Sequence, residues 1–229
     1  MTASPDQWYI QALGLRVDPA WRRLSAGDRA ADCTALVAAW DAAAAAGVRA
    51  FAYSTIGIKA GTDVLLWRMG PSLDALESTA ARLLTAGVGR WMEPSHSFIG
   101  RIGPSQYVRK PTSQEQSMFE GERSRYLAVY PFVKSADWYL LSREARQGIM
   151  NEHMRVGHDY PAVRQLLAYS FGIDDQEFVV AYETDDLVAY GDLLRALRET
   201  EGRRSTVRDT PILTGIHRPL GEILGMLGG

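Results

Sequence analysis

Apolar positions along this chain recur with period two in some stretches and at helical spacing in others, and the order of these stretches occurs twice. From Ala52 an apolar strand ends in Gly57-Ile58, a polar turn follows, and Val64-Leu65-Leu66-Trp67 reads as a second strand. From Ala168 the order returns: a strand ending in Gly172-Ile173, a polar turn, then Phe178-Val179-Val180-Ala181-Tyr182. Each second strand leads into a helix with apolar residues on one face, Leu73, Leu76, Ala80 and Leu83 in the first copy, Leu187, Tyr190, Leu193 and Leu197 in the second. Upstream, a strand over 8–15 and a helix over about 28–46 precede the first copy. A strand over 126–133 and a helix over about 142–156 precede the second. Each half therefore reads strand–helix–strand–strand–helix–strand, the split-βαβ or ferredoxin-like order, and predicts an α+β fold made by duplication. The expected boundaries are an N-terminal half over 1–102, a linker over 103–123 with Pro104, Pro111 and several Ser and Gln, and a C-terminal half over 124–229.

Composition narrows the function. The chain has 229 residues, 46% apolar and 23% charged, which fits a folded protein and excludes disorder or a fibrous repeat. Lys+Arg 25 against Asp+Glu 27 gives a charge of −2, so no nucleic-acid partner is expected. The single cysteine, Cys33, closes no intramolecular disulfide, supports no zinc cage, and reads as a small core residue in an Ala-rich helix. The start MTASPDQWY carries no secretory signal, and the apolar run Ala42 to Val48 is bracketed by Asp41 and Arg49. The expectation is a soluble, cytoplasmic protein with no membrane partner. Six Trp, ten Tyr and six Phe favour a large core or a lined cavity.

Four histidines are candidates for chemistry: His96, His153, His158 and His217. In SREARQGIMNEHMRVGHDY, Ser142 suits an N-cap and Glu144 the first turn of a helix. On that helix Ile149, Met150, Val156 and Gly157 share the face of His153, which therefore points to an apolar core or cavity. Two readings follow: a buried histidine hydrogen-bonded to a backbone carbonyl, or an axial ligand to a buried metal or haem. No HExxH, CxxC, GxGxxG, Walker or GxSxG pattern occurs. Arg198, Arg203, Arg204 and Arg208 are interleaved with Glu199, Glu201 and Asp209, which suits a solvated or anion-binding helix end.

The stretches YLAVYPFVKSADWYLLSREARQGIMNEH, YSFGIDDQEFVVAYETDD and LRETEGRRSTVRDTPILTG, with GIKAGTDVLLW and GRWMEP upstream, resemble the chlorite dismutase family, which includes the coproheme decarboxylases of haem biosynthesis. The resemblance implies two ferredoxin-like halves forming a dimeric α/β-barrel-type subunit, homopentameric assembly, and haem or coproheme (Fe-coproporphyrin III) bound in the C-terminal half. It implies His153 as the axial iron ligand, fifteen residues after Trp138 of the ADWYLL motif, itself in the cofactor surroundings. Glu201 takes the place of the carboxylate that fixes the imidazole tautomer and strengthens its donation. Seven residues before Gly172, where chlorite dismutases have a distal Arg, stands Gln165; Arg164 is one position earlier and so faces the other side of the strand. In Tyr130-Pro131-Phe132-Val133-Lys134 the resemblance makes Tyr130 a radical relay and Lys134 the cation that places a propionate; without it the pair reads as a strand Tyr and a surface Lys. Many relatives have Tyr where this chain has His96, and Tyr107, Arg109 and Lys110 of the linker are candidate anchors for an acidic ligand. The implied activity is peroxide-dependent decarboxylation of coproheme to haem b. The alternatives are chlorite dismutation, or haem carriage without turnover.

Overall fold

The computed structural model describes residues 8–103 and 122–229, and every structural statement concerns these. At the starts of four helices the sequence places Ser or Asp, and there the cap is made. Ser25 accepts the N–H of Asp28 at 3.1 Å, Ser72 that of Ala75 at 3.1 Å, Ser142 that of Ala145 at 3.2 Å, and Asp186 that of Val188 at 2.8 Å. The chain then runs β1 (Tyr9–Val17), α1 (Ala26–Ala43), β2 (Arg49–Ser54), β3 (Val64–Gly70), α2 (Leu73–Thr85) and β4 (Met92–Arg101). It continues with β5 (Tyr126–Lys134), α3 (Ala136–Leu140), α4 (Arg143–His158), β6 (Arg164–Tyr169), β7 (Phe178–Thr184), α5 (Leu187–Arg198) and β8 (Thr206–Arg208), and closes with β9 (Leu213–His217) and α6 (Leu220–Met226).

In the first half β1 pairs antiparallel with both β4 and β3, and β3 with β2, giving the order β4-β1-β3-β2. In the second, β5 pairs with β8 and β7, and β7 with β6, giving β8-β5-β7-β6. Both are the ferredoxin-like order. The duplication extends to the turns: Ile58 N–H reaches Thr55 C=O at 2.9 Å, and Ile173 N–H reaches Ser170 C=O at 2.8 Å. Between them Gly57 and Gly172 both sit at φ 69°, a left-handed conformation that a side chain would oppose.

The chain separates into two units, one of Met1–Ile102 with Leu213–Gly229 and the other of Gly103–Ile212. The stretch after Ile212, expected with the C-terminal half, thus groups with the first unit. There β9 adds to the edge of β2 through Tyr53↔His217 and Ser54↔Ile216. Ile223 and Leu224 of α6 are fully buried in the same core as Trp21, Leu66 and Val88. Cys33 packs partly buried against that core, as its surroundings suggested. No helix among the described residues is long and apolar enough to cross a membrane.

Candidate active site

Strand alternation sorts the second unit's sheet into two faces. Tyr130, Phe132 and Lys134 of β5, Val180 and Tyr182 of β7, and Gln165 of β6 all line one cavity of about 890 Å³, which α4 and α5 also line. Arg164 lies on the opposite face. Its Nη2 donates to Glu183 Oε2 at 2.9 Å and to Ser124 Oγ at 2.8 Å. Glu183 is fully buried and also faces the Arg123 guanidinium at 3.4 Å. The cavity wall therefore carries the neutral carboxamide of Gln165, while the Arg164 guanidinium is held on the other face.

The α4 helix, capped by Ser142 as its sequence predicts, presents Arg146, Met150, His153 and Met154 to the cavity. Among the described residues the His153 imidazole makes no hydrogen bond, so the backbone-bonded reading of that residue is not what the fold adopts. Burial first, and the Lys134 ammonium second, lower its pKa from the usual 6.5 to about 4, so it is neutral near pH 7 with a free ring nitrogen. Glu201 does not reach it. It opens a 3-10 turn, Glu201–Ser205, in which its N–H is held by Glu152 Oε2 at 3.0 Å and its exposed carboxylate lies 3.4 Å from Arg204. The expected imidazole–carboxylate pair is thus absent, because the helical turn swings the side chain to solvent.

Tyr130 is buried, with its ring stacked on Tyr182 at 6.2 Å between centroids. Burial above all, and next the neighbouring Tyr182, raise its pKa well above the ordinary 10, so it stays protonated. Lys134, four residues along and on the same face, donates from Nζ to Gly202 C=O at 2.9 Å and lies 4.4 Å from the Trp138 ring centroid. Burial first and Arg203 next lower its pKa to about 8. The predicted residues Tyr130, Lys134, Trp138, His153 and Gln165 thus meet in one cavity. His96 belongs to the first unit. Its Nδ1 is within 3.3 Å of Thr62 Oγ1 and 3.2 Å of Ser95 Oγ. Tyr107, Arg109 and Lys110 lie outside the described residues.

Sequence reading missed Tyr182, although it stands at period two from Phe178, and Asp209, which joins Arg198 at 3.1 Å and Arg203 at 2.6 Å on the cavity wall. It also missed Arg146, about two helical turns before His153. Among the described residues five cations line the cavity (Lys134, Arg146, Arg155, Arg198 and Arg203) against the single carboxylate of Asp209. Such a cavity attracts a flat apolar ligand with acidic arms. Its volume, its neutral unpaired imidazole and its aromatic walls fit an iron porphyrin.

Comparisons with known proteins agree. The family model for chlorite dismutase matches residues 28–218. A coproheme decarboxylase of Mycolicibacterium smegmatis is 33% identical over 165 residues, covering 71% of this chain and 70% of that one. A variant of the chlorite dismutase of Candidatus Nitrospira defluvii superposes with a TM-score of 0.90 at 24% identity, covering 99% of this chain and 97% of that one. The same enzyme in complex with imidazole gives 0.89 at 24%, with the same coverage. At that identity the structural matches speak for the fold, and together with the family model and the decarboxylase relative they establish that the chain belongs to the chlorite dismutase family.

Proposed function

We propose that this protein is a coproheme decarboxylase, converting Fe-coproporphyrin III to haem b with hydrogen peroxide. The observation that carries this reading is the pairing of a buried, protonated phenol, Tyr130, with the Lys134 ammonium on one strand face of a basic cavity. For each propionate, R–CH2CH2–COOH and H2O2 give R–CH=CH2, CO2 and two H2O; two propionates react. His153 holds the iron of the porphyrin substrate, which supplies the activation of peroxide. Lys134 donates to a propionate carboxylate and brings its β-carbon to the phenol. Because burial keeps Tyr130 protonated, loss of one electron from its ring must be accompanied by loss of the Oη proton, both going to the reduction of peroxide to water. The resulting phenoxyl oxygen takes a hydrogen atom from the propionate. Loss of the second electron lets the carbon–carboxylate bond break as CO2 leaves. Gln165 stays neutral throughout and offers a carboxamide to the ligand's open side.

The test is mass spectrometry of coproheme incubated with the protein and peroxide. The wild type should lose two carboxyl groups. Tyr130→Phe, which keeps the ring, should bind coproheme and lose none. Oxygen release from chlorite should be at least ~10²-fold slower than for an enzyme with a distal guanidinium, the cost of losing one strong donor at a developing anion. Coproheme left intact by the wild type, or fast O2 release from chlorite, overturns the proposal; intact coproheme with tight haem binding would point to a carrier. The family resemblance further suggests a homopentamer, and light scattering returning a monomer mass refutes that.

A further inference from the structure

Most cations on the cavity wall already have a partner. Lys134 donates to Gly202 C=O, and Arg198 and Arg203 share Asp209. Arg155 has none among the described residues but is exposed. Arg146 differs from all of these. Its Nε is buried without a hydrogen-bond partner, and its guanidinium makes no ion pair among the described residues while lining the cavity. A buried donor that no described residue satisfies, in a site where Lys134, Arg198 and Arg203 are paired, calls for a further partner. It is seven residues before His153, hence on the same helix face and about 10 Å along the axis.

The geometry points to Arg146 as a second carboxylate anchor, binding an acidic arm of the macrocycle whose metal His153 holds, apart from the arm placed by Lys134. This rests on the porphyrin reading above and names a residue for the retained end of the substrate. A guanidinium suits the role because its planar fork takes a carboxylate through two hydrogen bonds, which an ammonium cannot do. No bond to a described residue is lost when the arm docks.

The experiment titrates metal-free and ligand-free protein with ferric coproheme and, in matched detergent, with its tetramethyl ester, following quenching of tryptophan fluorescence. Arg146→Ala should weaken binding of the acid by about tenfold or more, the worth of a hydrogen bond to a charged group, and leave ester binding unchanged. Arg146→Lys should recover part of the loss, and the difference between wild type and Arg146→Ala should shrink at high salt. The melting temperature of the unliganded Arg146→Ala protein should not fall, since the side chain has no partner to lose. Acid affinity unchanged in Arg146→Ala, or lost equally for the ester, overturns the anchor. If Arg146→Ala weakens acid binding but wild-type protein releases no CO2 with peroxide, the anchor stands and the decarboxylase reading falls. Unchanged affinity with full turnover leaves the reading and removes the anchor.

Discussion

Replacing Glu183 by glutamine tests what aims Arg164 away from the cavity. The Glu183 carboxylate is fully buried and faces two guanidiniums, Arg164 at 2.9 Å and Arg123 at 3.4 Å, the Arg123 side chain being only 2% exposed. Glu183→Gln preserves shape and one acceptor oxygen but removes the negative charge that both guanidiniums face. Removing one partner of a buried ion pair costs about 3–5 kcal/mol. Arg164 is 18% exposed and keeps Ser124 Oγ and the Glu122 carbonyl at 3.0 Å, so the lower end, about 3 kcal/mol, applies. For a chain of this size that lowers the melting temperature by roughly 6–12 °C. Urea unfolding followed by far-ultraviolet circular dichroism measures the loss. A double variant, Glu183→Leu with Arg164→Met, should recover much of it, since apolar replacement removes the stranded charge. A loss below about 1 kcal/mol for Glu183→Gln would show that the cluster is hydrated and the reasoning wrong. The same variant should still release little O2 from chlorite, because the strand pleat itself puts Arg164 and Gln165 on opposite faces. Rapid O2 release would show that the ion pair, not the pleat, keeps the guanidinium out.

Further outcomes follow from the site. Lys134 has its pKa lowered to about 8, and only its charged form takes a carboxylate. Above the range where His153 takes up a proton, coproheme affinity should therefore hold up to pH 8 and fall as pH rises through about 8; Lys134→Met should abolish that alkaline fall in a fluorescence titration. His153→Ala should remove tight coproheme binding while leaving the unliganded melting temperature nearly unchanged, as its ring has no hydrogen bond to lose; an unchanged absorption spectrum of the complex would assign the iron ligand elsewhere. The Tyr190 hydroxyl is buried without a partner, so Tyr190→Phe should raise stability by about 1 kcal/mol in urea unfolding, and a loss of that size would reveal a partner.

The duplicated fold was legible because period-two and helical spacings recur in one order and the turn glycines recur with them, and local geometry fixes both. The face of His153 and the opposition of Gln165 to Arg164 were legible for the same reason: each follows from the repeat of a single element. What resisted was set by partners distant in sequence. Glu201 looks like a histidine partner by position, but the 3-10 turn that carries it directs the carboxylate to Arg204. Arg146 looks like any surface arginine of an amphipathic helix until the cavity shows its guanidinium unpaired. The attachment of β9 to β2 is invisible in local periodicity, since a strand's pattern does not state which edge it joins.

That attachment bears on how the protein is made. The first unit needs β9 and the buried Ile223 and Leu224 of α6, yet these follow the entire second unit in the chain. During synthesis at about 5–20 residues per second, all of Gly103–Ile212 is added while β2 still has an open edge and the Trp21 core lacks its last helix. The part made first is finished last. For seconds to tens of seconds the nascent chain exposes a strand edge and an unfilled apolar core, the features that recruit chaperones or lead to aggregation.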